Sequence, residues 1–201
     1  MNGNAKAKLV TICGIDGSGK TTLAENLQES CRKKGLKTFL VHPLSIQEEQ
    51  KHVLQELRNA DFPSIKQKEK VLGDFLSFCF LRNVLTNVQE AMENYDVVIC
   101  DRYLPSHLVA QACFGNNMRH LKPCFALLPI PDLSILVDVS VDTALERIGA
   151  RKNIMMHENR EYLGNARLHY LKQAKLSKLT VVDGASPPDE ILKRALEQLG
   201  I

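Results

Sequence analysis

Eight consecutive residues, Gly14-Ile15-Asp16-Gly17-Ser18-Gly19-Lys20-Thr21, follow the pattern G-x-x-x-x-G-K-[ST], a loop suited to holding phosphate. Glycines let backbone N–H groups crowd round an anion, and the N-terminus of a following helix adds positive potential. Lys20 is expected to reach the β- and γ-oxygens of a nucleotide, and the Thr21 hydroxyl to ligate Mg²⁺. Gly14, Gly17, Ser18, Gly19 and Thr22 complete the candidate phosphate cradle. A second segment, Asp96-Val97-Val98-Ile99-Cys100-Asp101, is an apolar run ending in a carboxylate. Beside a phosphate loop such an acid holds Mg²⁺, usually through water; elsewhere it would simply cap the next loop. Arg102 and Tyr103 follow at once. A guanidinium grips phosphate bidentately and stabilises charge on a phosphoryl group in transfer.

These groups need elements to aim them. Residues 8–13 (Lys-Leu-Val-Thr-Ile-Cys) are a short, β-branched apolar run and predict a buried strand. From Thr21 onward Leu23, Leu27 and Cys31 recur every four residues, a helix. Arg32-Lys33-Lys34 before Gly35 then read as the last helical turn and its cap. Further strands are predicted at 37–42, 96–101, 133–139 and 179–183. Three contain continuous apolar runs, which suits strands covered on both faces of a parallel sheet. Helical spacing fills 66–94, 141–150 and 189–199; Asp142 puts charge at one N-terminus and Pro187-Pro188 mark another. Strands alternating with helices predict an α/β fold: a doubly wound parallel five-stranded sheet flanked by helices, with its site at the carboxyl ends of the strands. No repeat or linker divides residues 1–201, so a single domain is expected.

Composition narrows the function classes. A net charge of +3 over 201 residues, with no Lys/Arg run interleaved with aromatics, gives no case for nucleic-acid binding. No apolar run reaches the roughly 18 residues of a membrane span. The first eight residues lack the apolar core of a secretory signal. The six cysteines are scattered outside metal-ligand spacing, and Cys13 and Cys100 read as core residues. A reduced, cytoplasmic setting is the expectation.

The motifs together resemble the thymidylate kinase family. The phosphate loop is similar to that family's, including the acid at Asp16. Asp101-Arg102-Tyr103 with Ser106 and Gln111 resembles its D-R-Y-x-x-S-x-x-x-x-Q stretch. Phe78-Cys79-Phe80-Leu81-Arg82 looks like the helix where a Phe stacks on thymine and an Arg four residues on bonds the base. Ile135 to Val139, then Ala144-Leu145-Glu146-Arg147, resembles the fourth strand and the helix leading to the lid. Arg167 and Tyr170-Leu171 resemble the helix after it. The resemblance implies a P-loop nucleoside-monophosphate kinase fold and ATP- and Mg²⁺-dependent phosphoryl transfer to a nucleoside monophosphate, dTMP above all. It implies Asp16 near the acceptor's 3′-hydroxyl, Arg102 on the acceptor phosphate and the group in flight, and Tyr103 near the sugar. Ser106 and Gln111 would join the acceptor site, and Arg147 would flank adenine. It also suggests a homodimer through the apolar helices.

The chain departs from that pattern in two places. Val41-His42-Pro43 is followed by Leu44-Ser45-Ile46, with no Arg near, and the lid region 150–160 has its basic residues out of register. No cation lies inside the loop at Gly17-Ser18, so a lid arginine, Arg151 or Arg160 with Arg147 behind, is expected to supply transition-state charge. Phe78 fits core packing as well as base stacking, and Arg82 fits a solvated helix face as well as a pocket. His42, His157 and Met155-Met156 read as plain loop or filler residues. Two other functions fit the motifs: a kinase of a different acceptor, and a nucleotide-binding switch without catalysis.

Overall fold

In the computed structural model, residues 7–150 and 159–201 are described. The chain runs β1 (Lys8–Cys13), α1 (Lys20–Lys33), β2 (Thr38–Val41), α2 (Glu48–Asn59), α3 (Ile65–Asn83), a π-helical turn (Val84–Val88) and α4 (Gln89–Asn94). It continues with β3 (Val97–Asp101), α5 (Leu104–Cys113), a 3₁₀ turn (Arg119–Leu121), α6 (Lys122–Phe125), β4 (Leu133–Asp138), α7 (Val141–Gly149), α8 (Arg160–Ser177), β5 (Thr180–Asp183) and α9 (Pro188–Leu199). The five strands form one sheet in the order β2-β3-β1-β4-β5, parallel at every pairing.

That order places the site. β1 is central, with β3 on one side and β4 on the other, and Ile12 sits opposite Asp101 in register. The chain leaves β1 toward one edge of the sheet, and the β3–β4 connection later carries it to the other side. Connections therefore diverge at the carboxyl end of β1, where open α/β sheets leave a ligand crevice. The phosphate loop fills that end.

Apolar side chains explain why both faces are covered. β3 is buried along its whole length, as a strand sandwiched between helices must be. On one face Leu23, Leu27 and Cys31 of α1 pack with Ile191, Ala195 and Leu199 of α9 over Val10, Ile12, Ile99 and Ile135. On the other, Phe80, Leu81, Val84 and Val88 cover Leu9, Val98 and Cys100. A third cluster ties α7 and α8 to the end of β1 through Ile148, Leu163, Tyr170 and Cys13.

The structure differs from the sequence-based expectations in two places. The helix expected over 66–94 begins at Ile65, capped by the Ser64 hydroxyl, and is broken by the π turn. By length and composition this 30-residue run would pass as a membrane span, with a hydropathy of 1.2 in its most apolar window; 44% of that window is buried inside the fold. Second, α2 was not expected. Only Gln50 and Leu54 of its residues are buried, so it has almost no apolar period to detect; its N-terminal signal is a capping box between Gln47 and Gln50.

Candidate active site

The loop between β1 and α1 is shaped by close approaches. Gly17 has φ +80°, and a Cβ there would lie 2.5 Å from the Ala144 carbonyl oxygen of α7. A side chain at this position would meet both backbone strain and a steric clash. α1 starts from Gly19, with no side-chain cap on its N-terminus and no acid in its first turn. Its exposed N–H groups and positive end are therefore left for an external anion. Ser18 Oγ is buried in the same cradle with no hydrogen-bond partner among the described residues. Beside it lies a cavity of about 310 Å³ lined by Gly17, Ser18, Gly19, Thr22, Arg147 and Gly184 among others. Arg147 lines that cavity, donating to the carbonyls of Gly17 and Ser18 at 3.4 Å and of Gly184 at 3.0 Å.

Three charges meet at the mouth of the loop. Asp16 Oδ1 accepts from Lys20 Nζ at 3.2 Å and from Arg102 Nη2. Lys20 is buried, and burial, then the nearby Arg102 charge, lowers its pKa; Asp16 and Asp101 act the other way. Arg102 is held in the left-handed region, φ +76°, an uncommon conformation for a residue with a side chain. Its backbone N–H donates to Ile12 at 2.8 Å, locking the end of β3 to β1. Its guanidinium also reaches the Tyr170 hydroxyl at 3.4 Å, and Tyr170 donates to Ser106 Oγ at 3.0 Å.

Thr21 and Asp101 come together as their spacing in the fold requires. The Thr21 hydroxyl donates to Asp101 Oδ2 at 2.6 Å, and Asp101 Oδ1 is buried with no hydrogen-bond partner among the described residues. A hydroxyl and a carboxylate with a free oxygen are the hard donors Mg²⁺ takes, so the pair fits that ion. His42, read from sequence as a plain loop residue, places Nδ1 3.5 Å from Asp101 Oδ2.

On the far side of Lys20 opens a cleft of about 690 Å³. Asp16, Lys20, Thr21, Asp101, Arg102 and Ser106 line its floor; His42, Leu44, Ser45 and Ile46 form one wall, and Ala110, Phe114 and Tyr162 another. Asn83 fixes the first wall: buried, it donates to the carbonyls of Pro43 at 3.1 Å and Ser45 at 2.9 Å. Phe114, Tyr162, Tyr170 and Asn83 had no functional part in the sequence-based expectations. The four-residue spacing of Ser106, Ala110 and Phe114 was the available signal.

Several expected residues lie elsewhere. Phe78 does not line the cleft and is 54% exposed. The inward face of α3 is instead that of Gly73, Ser77, Phe80 and Leu81. Arg82 points to Glu49 of α2 at 3.4 Å, in a solvent-facing pair of the kind worth at most about 1 kcal/mol. Tyr103 turns into the core, edge-on to Phe80, and donates to the Pro129 carbonyl at 3.0 Å; burial raises its pKa. Gln111 is buried against Asn116, beside a smaller cavity under α3. Arg160 pairs with Asp142 at 2.6 Å on the outer surface, away from both cavities. Arg151, His157, Met155 and Met156 lie outside the described residues.

Comparison with known proteins places the chain in a family. The model of the family described as "Thymidylate kinase" matches residues 12–195. A protein named "Probable thymidylate kinase" from Metallosphaera sedula is 33% identical over 94% of this chain and 90% of its own length. "Probable thymidylate kinase 1" from Saccharolobus solfataricus is 32% identical over 94% of this chain and 95% of its own length. A "Thymidylate kinase" from Xanthomonas oryzae pv. oryzae is 29% identical, covering 93% and 80% respectively. The family implies a nucleotide phosphate donor and a nucleoside monophosphate substrate. With a phosphate cradle, an acid–arginine pair at the tip of β3 and this coverage, the chain belongs to the thymidylate kinase family of phosphotransferases.

Proposed function

We propose that the protein transfers the γ-phosphoryl group of ATP to dTMP, giving ADP and dTDP. One observation carries this: Lys20, Asp16 and Arg102 interact where the phosphate loop opens into the cleft, so one cluster faces both a donor cradle and an acceptor space. An oxygen of the acceptor phosphate attacks the γ-phosphorus as the bond from phosphorus to the β–γ bridging oxygen breaks, and ADP leaves with that oxygen. The chain contributes position and positive charge. Lys20, released from Asp16 by the stronger phosphate anion, follows the charge on the γ-group. Arg102 bridges acceptor phosphate and transferring group. Asp16, freed of its cations, accepts from an acceptor hydroxyl. Thr21 and Asp101 would hold Mg²⁺, which when bound neutralises phosphate charge. Arg147, fixed by three backbone carbonyls, walls the space for the donor's nucleoside.

The test is an acceptor panel with ATP and Mg²⁺, read by chromatography. dTMP is expected to give dTDP, one for each ADP. Conversion of a nucleoside or a non-nucleotide alone, with dTMP, dUMP and dCMP untouched, would overturn the acceptor. ADP release at a rate that no acceptor changes would overturn the transferase reading in favour of a switch.

A further inference from the structure

Arg102 takes part in both halves of the proposed reaction, so whatever aims its guanidinium matters. Its Nη1 group donates to two acceptors that the fold holds in place, the Gly14 carbonyl and the Tyr170 hydroxyl, each at 3.4 Å. Its Nη2 group donates to Asp16, and both residues line the cleft. Tyr170 of α8 is buried among Cys13, Ile15 and Val109. Burial raises its pKa, so the hydroxyl keeps its proton. That proton goes to Ser106 Oγ, 3.0 Å away in the first turn of α5, which leaves an oxygen lone pair for the guanidinium. Three residues earlier on α8, Arg167 grips both oxygens of Asp138 at the end of β4, at 2.7 and 2.8 Å. A bidentate pair of this kind fixes the helix, and Tyr170 with it, against the sheet.

We propose that Tyr170 is a positioning residue for phosphoryl transfer: its hydroxyl, oriented by Ser106, holds the Nη1 edge of the Arg102 guanidinium so that the Nη2 edge faces the phosphates. The proposal rests on the reading of the protein as a phosphoryl transferase. A guanidinium recognises phosphate through a planar fork, so its rotation matters as much as its charge. Asp16 cannot control that rotation during transfer, because phosphate takes its place on Nη2. The Tyr170 hydroxyl and the Gly14 carbonyl can. Both are neutral acceptors, so they orient the cation without cancelling the charge that acts on the phosphoryl group.

Tyr170→Phe removes the hydroxyl and keeps the ring. It should lower kcat/KM for dTMP roughly tenfold while the ATP KM stays within about twofold. Thr11→Val is the control: it removes another buried hydroxyl, one that donates to Ser134 Oγ at 2.9 Å and lines neither cavity. Both variants should melt a few degrees below the wild type, and Thr11→Val should turn over normally. A double-mutant cycle with Arg102→Lys separates positioning from packing. An ammonium has no fork to orient, so in the Arg102→Lys background Tyr170→Phe should change kcat/KM by less than about twofold. An equal loss in both backgrounds would overturn the proposal, as would normal turnover in Tyr170→Phe. If the wild-type enzyme leaves dTMP unphosphorylated, the acceptor assignment fails on its own. The cycle is then read on whichever acceptor of the panel is converted, or on ATP hydrolysis alone. Coupling to Arg102 there supports the proposal, and independent losses overturn it. A wild-type protein that cleaves no ATP at all would overturn both readings.

Discussion

Asp16 accepts from two cations at once, and this contact sets the electrostatics of Lys20. Without that carboxylate Lys20 would be a buried ammonium facing a guanidinium, which lowers its pKa further. With it the charge is retained until phosphate competes. Lys20→Ala should lower kcat by about 10²–10³-fold, because the lost charge acts on the transition state. Its melting temperature should move by only a few degrees. A loss of stability in proportion to the loss of rate would make Lys20 structural. A second buried group predicts a pH effect on stability. His107 stacks on Phe80 with centroids 5.1 Å apart and lies 2.8 Å from Ser77 Oγ; burial pushes its pKa down to about 4. The unfolded chain holds that proton from about pH 6.5. Stability from this group is therefore complete above pH 6.5 and falls as pH drops toward 4, by up to about 3 kcal/mol. Urea midpoints between pH 7 and 5 should fall in the wild type and fall less in His107→Gln. At this scale the phosphate loop and Asp101-Arg102 were legible because their chemistry depends on contiguous residues. Phe78, Arg82 and Tyr103 were not. Helical spacing says that Phe78 and Arg82 share a face, but only packing on the sheet says which face looks inward, and a left-handed Arg102 cannot be read from neighbouring residues.

The elements set what the residues can touch. The strand pattern was legible almost to the residue, because parallel strands buried on both sides leave continuous apolar runs such as Val97-Val98-Ile99-Cys100. Helix α2 was not, since a helix that buries little carries little period. The junction of α3 with its π turn also escaped notice, and it shapes the cleft. Such turns often mark functional sites, and here Asn83, the last residue before it, ties down the loop after β2 through two carbonyls. Asn83→Ala removes both bonds from a buried setting, a cost of about 1–3 kcal/mol. The freed wall should raise the dTMP KM severalfold with little change in the ATP KM. Equal changes in both constants would mean that the loop serves the fold as a whole and not the acceptor side.

Taken whole, the molecule divides its work across the end of one strand. β1 carries the phosphate loop at the centre of the sheet; the cavity proposed for the donor lies toward α7 and the β5–α9 turn, and the cleft proposed for the acceptor toward α5 and the loop after β2. Fold class was legible because alternation of strands and helices fixes it. The division of the site was legible only in part, because the acceptor walls come from segments far apart in sequence that the topology brings together. The central claim is that both phosphates are gripped by one cluster at that strand end. A crystal structure with a nonhydrolysable ATP analogue, Mg²⁺ and dTMP tests it most directly. The β- and γ-phosphates should rest in loop 14–21 against Lys20, with the dTMP phosphate on Arg102 across from them. A triphosphate bound away from that loop, or an Arg102 guanidinium touching neither phosphate, would contradict the account.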